Sequence, residues 1–363
     1  MEIYHSSLIF YSCFFALFAL LIYIAKTTER VSAFPAFALW LLLTLFAGMR
    51  FGPGRDFPLY HNIYTFGENN MSFSHLEPFW QSVILLFRSW GLSYAGWFTV
   101  VAGITYALII RGFRRLCGDN WWIAVLAFVL IYSGYFETYN MVRQYVAIAI
   151  MLSAYPLVEQ RRYIAFAFAI GVATMVHPSA LVAIPVVLLG RIRWNSYLLG
   201  GLLLLSPIAE SFVMEPLLEL ISKLLPERYA FYSQGKYVYE MQSDSGVYPL
   251  FLIFVSLFFL YYRRYIEPYR PEIYQYINYV VFATILYNLF THFEVGVRIF
   301  YYPFVFIFPL IALSVRPKGK LREHPAIIAI LLIFALFQYK SLSNMDEPYS
   351  KYRSIYDTRR FHL

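Results

Sequence analysis

Gly48-Met-Arg-Phe-Gly-Pro-Gly-Arg-Asp-Phe-Pro-Leu-Tyr60 is where an apolar helix stops and two arginines, an aspartate and a tyrosine arrive within eleven residues, Arg50 to Tyr60. Gly52, Pro53 and Gly54 do not continue a helix comfortably, so the chain turns here and leaves backbone donors near the end of the apolar run. The nature of that run decides the fold. The 363 residues are 60% hydrophobic and only 14% charged, and the mean hydropathy is +0.57, outside the range of soluble globular proteins. The apolar runs are mostly long enough for a helix to cross a hydrocarbon core of about 30 Å, and too evenly apolar for tilted barrel strands. The expected fold is an all-α polytopic membrane protein, a single transmembrane domain over residues 1–363.

Twelve spans are predicted, at 7–25, 33–49, 93–110, 121–137, 141–157, 163–176, 178–190, 194–212, 247–262, 274–292, 298–314 and 325–340. The first is read as a retained span and not a signal peptide, because no basic residue precedes it and no small-x-small cleavage site follows. Alternate loops carry Lys26 and Arg30; Arg111, Arg114 and Arg115; Arg161 and Arg162; Arg191 and Arg193; Arg263, Arg264 and Arg270; and Arg316, Lys318, Lys320 and Arg322. Such basic loops stay in the cytoplasm. Both termini, the opening stretch, the 137–143 connection, the turn at His177, a long loop at about 212–246 and the 292–298 connection are then expected outside. The net charge of +8 is dispersed through these loops as an orientation signal, so nucleic acid is not an expected partner.

Pro78 to Trp90 resists this scheme. It is apolar but short, and it contains Gln81 and Arg88, so a re-entrant or interfacial helix on the outer side is expected. Should it span, the count becomes thirteen and the sidedness changes. His177-Pro178 breaks the run 163–190, leaving a tight hairpin and one kinked helix both open. Cys13 and Cys117 show no metal spacing and are read as plain buried thiols.

Four polar constellations face outward in this scheme. Arg50, Arg55 and Asp56 come first: paired guanidiniums suit a phosphate or diphosphate, and Asp56 is a base for a sugar hydroxyl or only an orienting partner. The competing reading is a solvated loop whose arginines reach headgroups. Glu137-Thr-Tyr-Asn-Met-Val-Arg-Gln-Tyr145 is the second, with Glu137 the expected partner of Arg143. Asn140 and Arg143 share a helix face, whereas Gln144 diverges from Arg143 by about 100°; a structural ion pair and an anion site both remain open. His177 with Ser179 is either a proton relay or a satisfied structural group. Glu294 and Arg298, four apart, form the fourth pair, with Tyr301 and Tyr302 after it. The 212–246 loop is rich in tyrosine, which suits stacking on sugar faces, but the chain has 33 tyrosines, many of them expected at the membrane interface. No P-loop, dinucleotide glycine pattern or metal-ligand spacing is present, so no cofactor and no metal are expected.

Gly48 to Tyr60, Glu77-Pro-Phe, Asn140-Met-Val-Arg-Gln-Tyr145 and His177-Pro-Ser-Ala-Leu181, taken together in this order, resemble the EpsG-like family of Wzy-type bacterial polymerases of O-antigen, capsule and exopolysaccharide. The likeness runs from about residue 40 to 190 and extends weakly through Glu294, Arg298, Tyr301 and Pro348-Tyr349. The family pattern often has Gly-Thr-Asp at positions 54–56, so the aspartate carries over and Arg55 is local to this chain. The resemblance implies a metal-independent membrane glycosyltransferase with a GT-C-like helix bundle in the bacterial inner membrane, its site facing the periplasm or cell exterior. Donor and acceptor would be oligosaccharide repeat units on undecaprenyl diphosphate, and a chain-length regulator is an expected partner besides membrane lipids.

On that implication, Asp56, His177 and Glu294 are the candidate catalytic residues. Arg50, Arg55, Tyr60, Glu77, Asn140, Arg143, Gln144 and Arg298 are the candidate substrate-binding residues. Arg143 ranks first for the diphosphate, Arg50 ahead of Arg55, and Asp56 first as base, although a carboxylate beside arginines has a lowered pKa and is then a positioning group. A lipid-linked oligosaccharide flippase and an outward-facing acyltransferase with His177 as base are the rival readings. The flippase is disfavoured because no inverted repeat shows in the charge pattern and the polar groups do not gather at mid-membrane.

Overall fold

The computed structural model describes residues 2–28, 32–224, 247–291, 293–315, 324–344 and 352–354. Their regular structure is helical apart from one two-residue strand pairing, and the chain gathers into two compact units, Met1–Ala180 with Val315–Leu363, and Leu181–Ser314.

Unit one holds α1 (Glu2–Thr27), α2 (Phe34–Gly48), β1 (Arg50–Phe51), α3 (Phe57–Phe66), α4 (Pro78–Ser89), α5 (Tyr94–Cys117), α6 (Trp121–Leu130), α7 (Val142–Glu159) and α8 (Tyr163–Val176). Its core is α5, which packs against α2 and α7, while α7 also packs on α8. Small residues let these helices approach closely, the usual device where lipid tails compete with side chains for apolar contact. A Cβ on Gly48 of α2 would lie 2.3 Å from Thr99 Oγ1 of α5, and one on Gly112 of α5 would lie 3.0 Å from Leu152 of α7. Trp40 Nε1 donates to the Gly103 carbonyl at 2.8 Å across the same α2–α5 seam.

Unit two contains α9 (Ala183–Gly190), α10 (Ser196–Leu224), α11 (Val247–Ile266), α12 (Ile273–Leu289), α13 (Glu294–Phe304) and α14 (Ile307–Ser314). Its axis is α12, which packs against α9, α10, α11, α13 and α14. The seams carry polar rungs: Asn278 Nδ2 donates to the Gly190 and Ile192 carbonyls at 2.8 and 2.9 Å, Asn288 Nδ2 donates to Ser206 Oγ at 2.8 Å, and Ser256 and Thr284 hydroxyls meet at 2.8 Å. In a water-poor interior such bonds join helices at about 0.6–2 kcal/mol each. At one end of this unit Glu267 accepts from Arg193 and, at 2.8 Å, from Arg263 Nε.

The remaining helix α15 (His324–Ser343) and strand β2 (Arg353–Ser354) return to unit one, where α15 packs on α6 and β2 pairs antiparallel with β1.

Each of the twelve apolar segments expected to span contains helix, but 121–137 is helical only to Leu130, after which Ile131 is extended, and 298–314 is divided between α13 and α14. Among the described residues five helical stretches are long and apolar enough to cross a membrane: Ser7–Thr27, Tyr94–Leu130, Val247–Ile266, Gly296–Ser314 and Pro325–Ser343. Phe34–Gly48, Tyr163–Val176, Pro178–Gly190 and Ser196–Glu210 are shorter apolar helices. This is a helical polytopic membrane protein. Several boundaries differ from the hydropathy reading. Arg111, Arg114 and Arg115 lie within α5, whose helix outruns its apolar stretch, and a short 3₁₀ turn, Gly118–Asn120, joins it to α6. Helix α10 runs on to Leu224, so the first part of the expected 212–246 loop is helical; residues 225–246 lie outside the described residues. The break at His177 is real: its backbone is extended (φ −154°, ψ 120°), as proline at 178 requires, and a 3₁₀ segment, Pro178–Val182, follows. Helix α4 has twelve residues, about 18 Å at 1.5 Å per residue, short of the hydrocarbon core. Cys117 is buried as expected, but Cys13 is exposed on α1, because its position falls on that helix's outer face.

Candidate functional site

The turn after α2 is built as its glycines demand. Gly52 and Gly54 have φ of 103° and 110°, conformations that a side chain resists, and a Cβ on Gly54 would lie 3.0 Å from the Tyr139 carbonyl. The turn is therefore laid directly on the 136–140 segment. The Arg55 amide donates to Asn140 Oδ1 at 2.6 Å, and Asn140 Nδ2 donates to Glu137 Oε1 at 3.3 Å. Pro58 in the first turn of α3, where its missing N–H is not needed, starts the helix that carries Tyr60.

Arg50 fastens this turn from beneath. Only 2% of the residue is exposed. Its guanidinium donates to the Ala47 carbonyl at the end of α2, to Pro53 O at 3.3 Å and to Tyr139 O at 3.2 Å, and it lies 4.6 and 4.5 Å from the ring centres of Phe98 and Tyr139. The ranking of Arg50 above Arg55 as a ligand contact does not fit this geometry: Arg50's donors are committed to carbonyls, whereas Arg55 is exposed and Asp56 half-buried beside it. Asp56 occupies the N-cap position of α3 without a side-chain capping bond, and its carbonyl accepts from the Tyr60 amide.

Arg143 sits in the first turn of α7, where a cation opposes the helix dipole and needs a partner. The expected partner was Glu137; the structure supplies Glu77 instead, with Tyr60. Arg143 Nη1 pairs with Glu77 Oε2, and Nε donates to Tyr60 Oη at 3.1 Å. Glu77 reaches it because Pro78 begins α4, leaving Glu77 at the N-cap with its carboxylate turned to the guanidinium and not to the α4 backbone. The pair is half-enclosed, with 20% and 13% of the two side chains exposed. Among the described residues Nη2 of Arg143 has no hydrogen-bond partner, and it is a cationic donor suited to an anion. Gln144, one residue on, is buried on a different face of α7.

Helix α4 also links this cluster to His177. Trp80, in its first turn, donates Nε1 to the Val176 carbonyl at 2.8 Å. His177, half-buried, meets Ser179 Oγ through Nδ1 at 2.7 Å, and the Ser179 amide approaches the same nitrogen. Tyr60, Glu77 and Arg143 thus gather in unit one beside the 50–56 turn, and Trp80 ties α4 to Val176, the residue before His177. Arg298 lies half-buried in α13 of unit two; Glu294 opens that helix, so the four-residue spacing is helical, but the Glu294 side chain lies outside the described residues.

Sequence reading missed the carboxyl-terminal strap. Arg50 pairs with Ser354 and Phe51 with Arg353 across β1–β2. Tyr352 seals the pairing: its ring stacks on Phe46 at 4.4 Å, its hydroxyl donates to Phe46 O at 2.8 Å, and its carbonyl accepts from Ser7 Oγ at 3.0 Å. No local pattern marks a single tyrosine in a polar tail for that role.

Comparison with curated proteins and with solved structures returns no match. A family model does match, over residues 33–354, nearly the whole chain, and it takes in the 50–56 turn, Glu77, Arg143, His177, Arg298 and the strap. The chain belongs to the EpsG family, a family of Wzy-like polysaccharide polymerases.

Proposed function

We propose that this protein polymerises a bacterial surface polysaccharide by joining oligosaccharide repeat units carried on undecaprenyl diphosphate, at the outer leaflet of the inner membrane. The observation that carries the reading is Arg143. In a chain of this family, its guanidinium is held at a helix start by Glu77 and Tyr60, with Nη2 left without a hydrogen-bond partner among the described residues. The reading places twelve spans in a GT-C-like arrangement, with the 50–56 turn and Arg143 on the outward side.

In this reading the acceptor sugar hydroxyl attacks the anomeric carbon of the donor, forming the new glycosidic bond as the bond to the diphosphate oxygen breaks. Undecaprenyl diphosphate leaves with the electron pair, and the anomeric centre inverts. Arg143 meets the charge that develops on the leaving oxygen. Asp56 takes the hydroxyl proton, with His177 as the second candidate base. Tyr60 and Glu77 hold Arg143, Asn140 holds the turn that presents Arg55 and Asp56, and Arg50 locks that turn from below.

The test is elongation by purified protein of synthetic undecaprenyl-diphosphate-linked repeat units, with chelator present and nucleotide absent. A ladder of longer lipid-linked chains is the expected product. Passage of units across a vesicle bilayer without elongation would overturn the polymerase reading in favour of transport.

A further inference from the structure

Beside the Arg143 cluster lies a cavity of about 340 Å³, a size typical of ligand sites, whose lining is entirely apolar. It is bounded by Trp80, Val83 and Phe87 of α4, Val146 and Ile150 of α7, and residues of α5 and α8 that include Met175. The spacing explains its position. Glu77, Trp80, Val83 and Phe87 succeed one another at three- and four-residue steps, as do Arg143, Val146 and Ile150, so each set lies along one helix face. The polar members of both sets, Glu77 and Arg143, meet in an ion pair at one end, and only hydrocarbon follows for about 10 Å along α7.

The floor is prepared for an apolar guest. Trp80 is 2% exposed, and its one polar atom is already bonded to the Val176 carbonyl, so its ring contributes only carbon surface. The rim opens sideways, since Ile104 and Met175 are 51% and 65% exposed, as they would be where a groove gives onto lipid. The cavity therefore has an anion-binding head and a hydrocarbon-lined shaft, the two halves of an amphiphile with a phosphorylated head.

We infer that this groove seats the first isoprene units of the lipid carrier, the shaft holding the polyprenyl chain while its diphosphate meets Arg143. The inference rests on the polymerase reading for the identity of the lipid. Bulk phospholipid is the alternative occupant. The isoprenoid chain is favoured because the shaft begins at the arginine to which the leaving diphosphate is assigned.

The test uses full-length protein in vesicles and two photoreactive probes at equal mole fraction. One is a polyprenyl diphosphate with a diazirine in its second isoprene unit, and the other is a phosphatidylglycerol with a diazirine at matching acyl depth. The expected result is polyprenyl label on the Trp80–Phe87 and Val146–Ile150 peptides, competed by unlabelled undecaprenyl diphosphate, with little phospholipid label there. Val83→Trp, on a short helix at the groove wall, should cut that label several-fold without shifting the thermal midpoint; Ile150→Phe gives a second, independent obstruction. Equal labelling by both probes, or polyprenyl label confined to other helices, overturns the inference. Elongation with label elsewhere removes the groove assignment alone, whereas competed label in the groove without any elongation removes the polymerase reading and leaves the groove.

Discussion

Removing Glu77 tests the central cluster, because among the described residues its carboxylate is the one negative charge paired with Arg143. The pair is neither exposed nor fully buried, with 20% of Arg143 and 13% of Glu77 side-chain surface accessible. An exposed pair contributes about 0.2–1 kcal/mol, and stripping one partner from a buried pair costs about 3–5 kcal/mol. With a fifth of the guanidinium still wet and the Tyr60 bond intact, Glu77→Ala should cost about 2 kcal/mol, between those limits. Glu77→Gln keeps an acceptor but loses the charge, roughly halving the strength of the bond, so its loss should be about 1 kcal/mol. Arg143→Ala removes the proposed leaving-group donor and should reduce kcat by about 10²–10³-fold, as loss of an oxyanion donor does. Arg143→Lys keeps a charge but cannot bridge Tyr60, Glu77 and a phosphate with one rigid fork, so it should recover only part of that rate. Thermal unfolding in detergent and the elongation ladder read the two effects separately. If Glu77→Ala stays within about 0.5 kcal/mol of wild type, the range of an inert surface change, the pair does not hold the site. An unchanged ladder with Arg143→Ala would refute the leaving-group assignment.

Three further outcomes follow from the same geometry. Tyr352→Ala empties a stacked, hydrogen-bonded seat and should destabilise unit one by about 3–5 kcal/mol, the usual cost of an aromatic-to-alanine change; a cysteine placed at Arg55 should then be alkylated faster, and an unchanged alkylation rate would show that the strap does not hold the turn. Gly54→Ala forces a Cβ to 3.0 Å from Tyr139 O at φ 110° and should cost about 1–3 kcal/mol, with elongation falling while a Gly171→Ala control, where a Cβ meets nothing within 4 Å, leaves both readouts alone. Burial raises the Glu267 pKa, but hydrogen bonds and charge from Arg263 and Arg193 outweigh it and the net shift is downward. A depressed folded pKa gives stability that is complete above the unfolded value, about 4.3, and is lost as pH falls through the folded one; Glu267→Gln should therefore lower the thermal midpoint at pH 7 and flatten its decline below pH ~4, and parallel pH profiles for the two proteins would remove the assignment.

The membrane class, the apolar segments that form helix, the stop at Gly48, the turn at 52–54 and the break at His177 were legible in the sequence, although several helix ends were not. Hydropathy, proline and glycine act over a few residues, and their consequences are local. The candidate site residues Tyr60, Glu77, Asn140 and Arg143 were legible as motifs, but their relations were not. That Arg143 is held by Glu77 and not by nearby Glu137, that Arg50 spends its donors on carbonyls, and that Tyr352 and β2 clamp a turn some three hundred residues away all depend on which helices pack together. Packing is set by the summed fit of many side chains over long sequence separations, so only the tertiary structure decided that Arg50 is a fastener and that Arg143 is held by Glu77 and Tyr60.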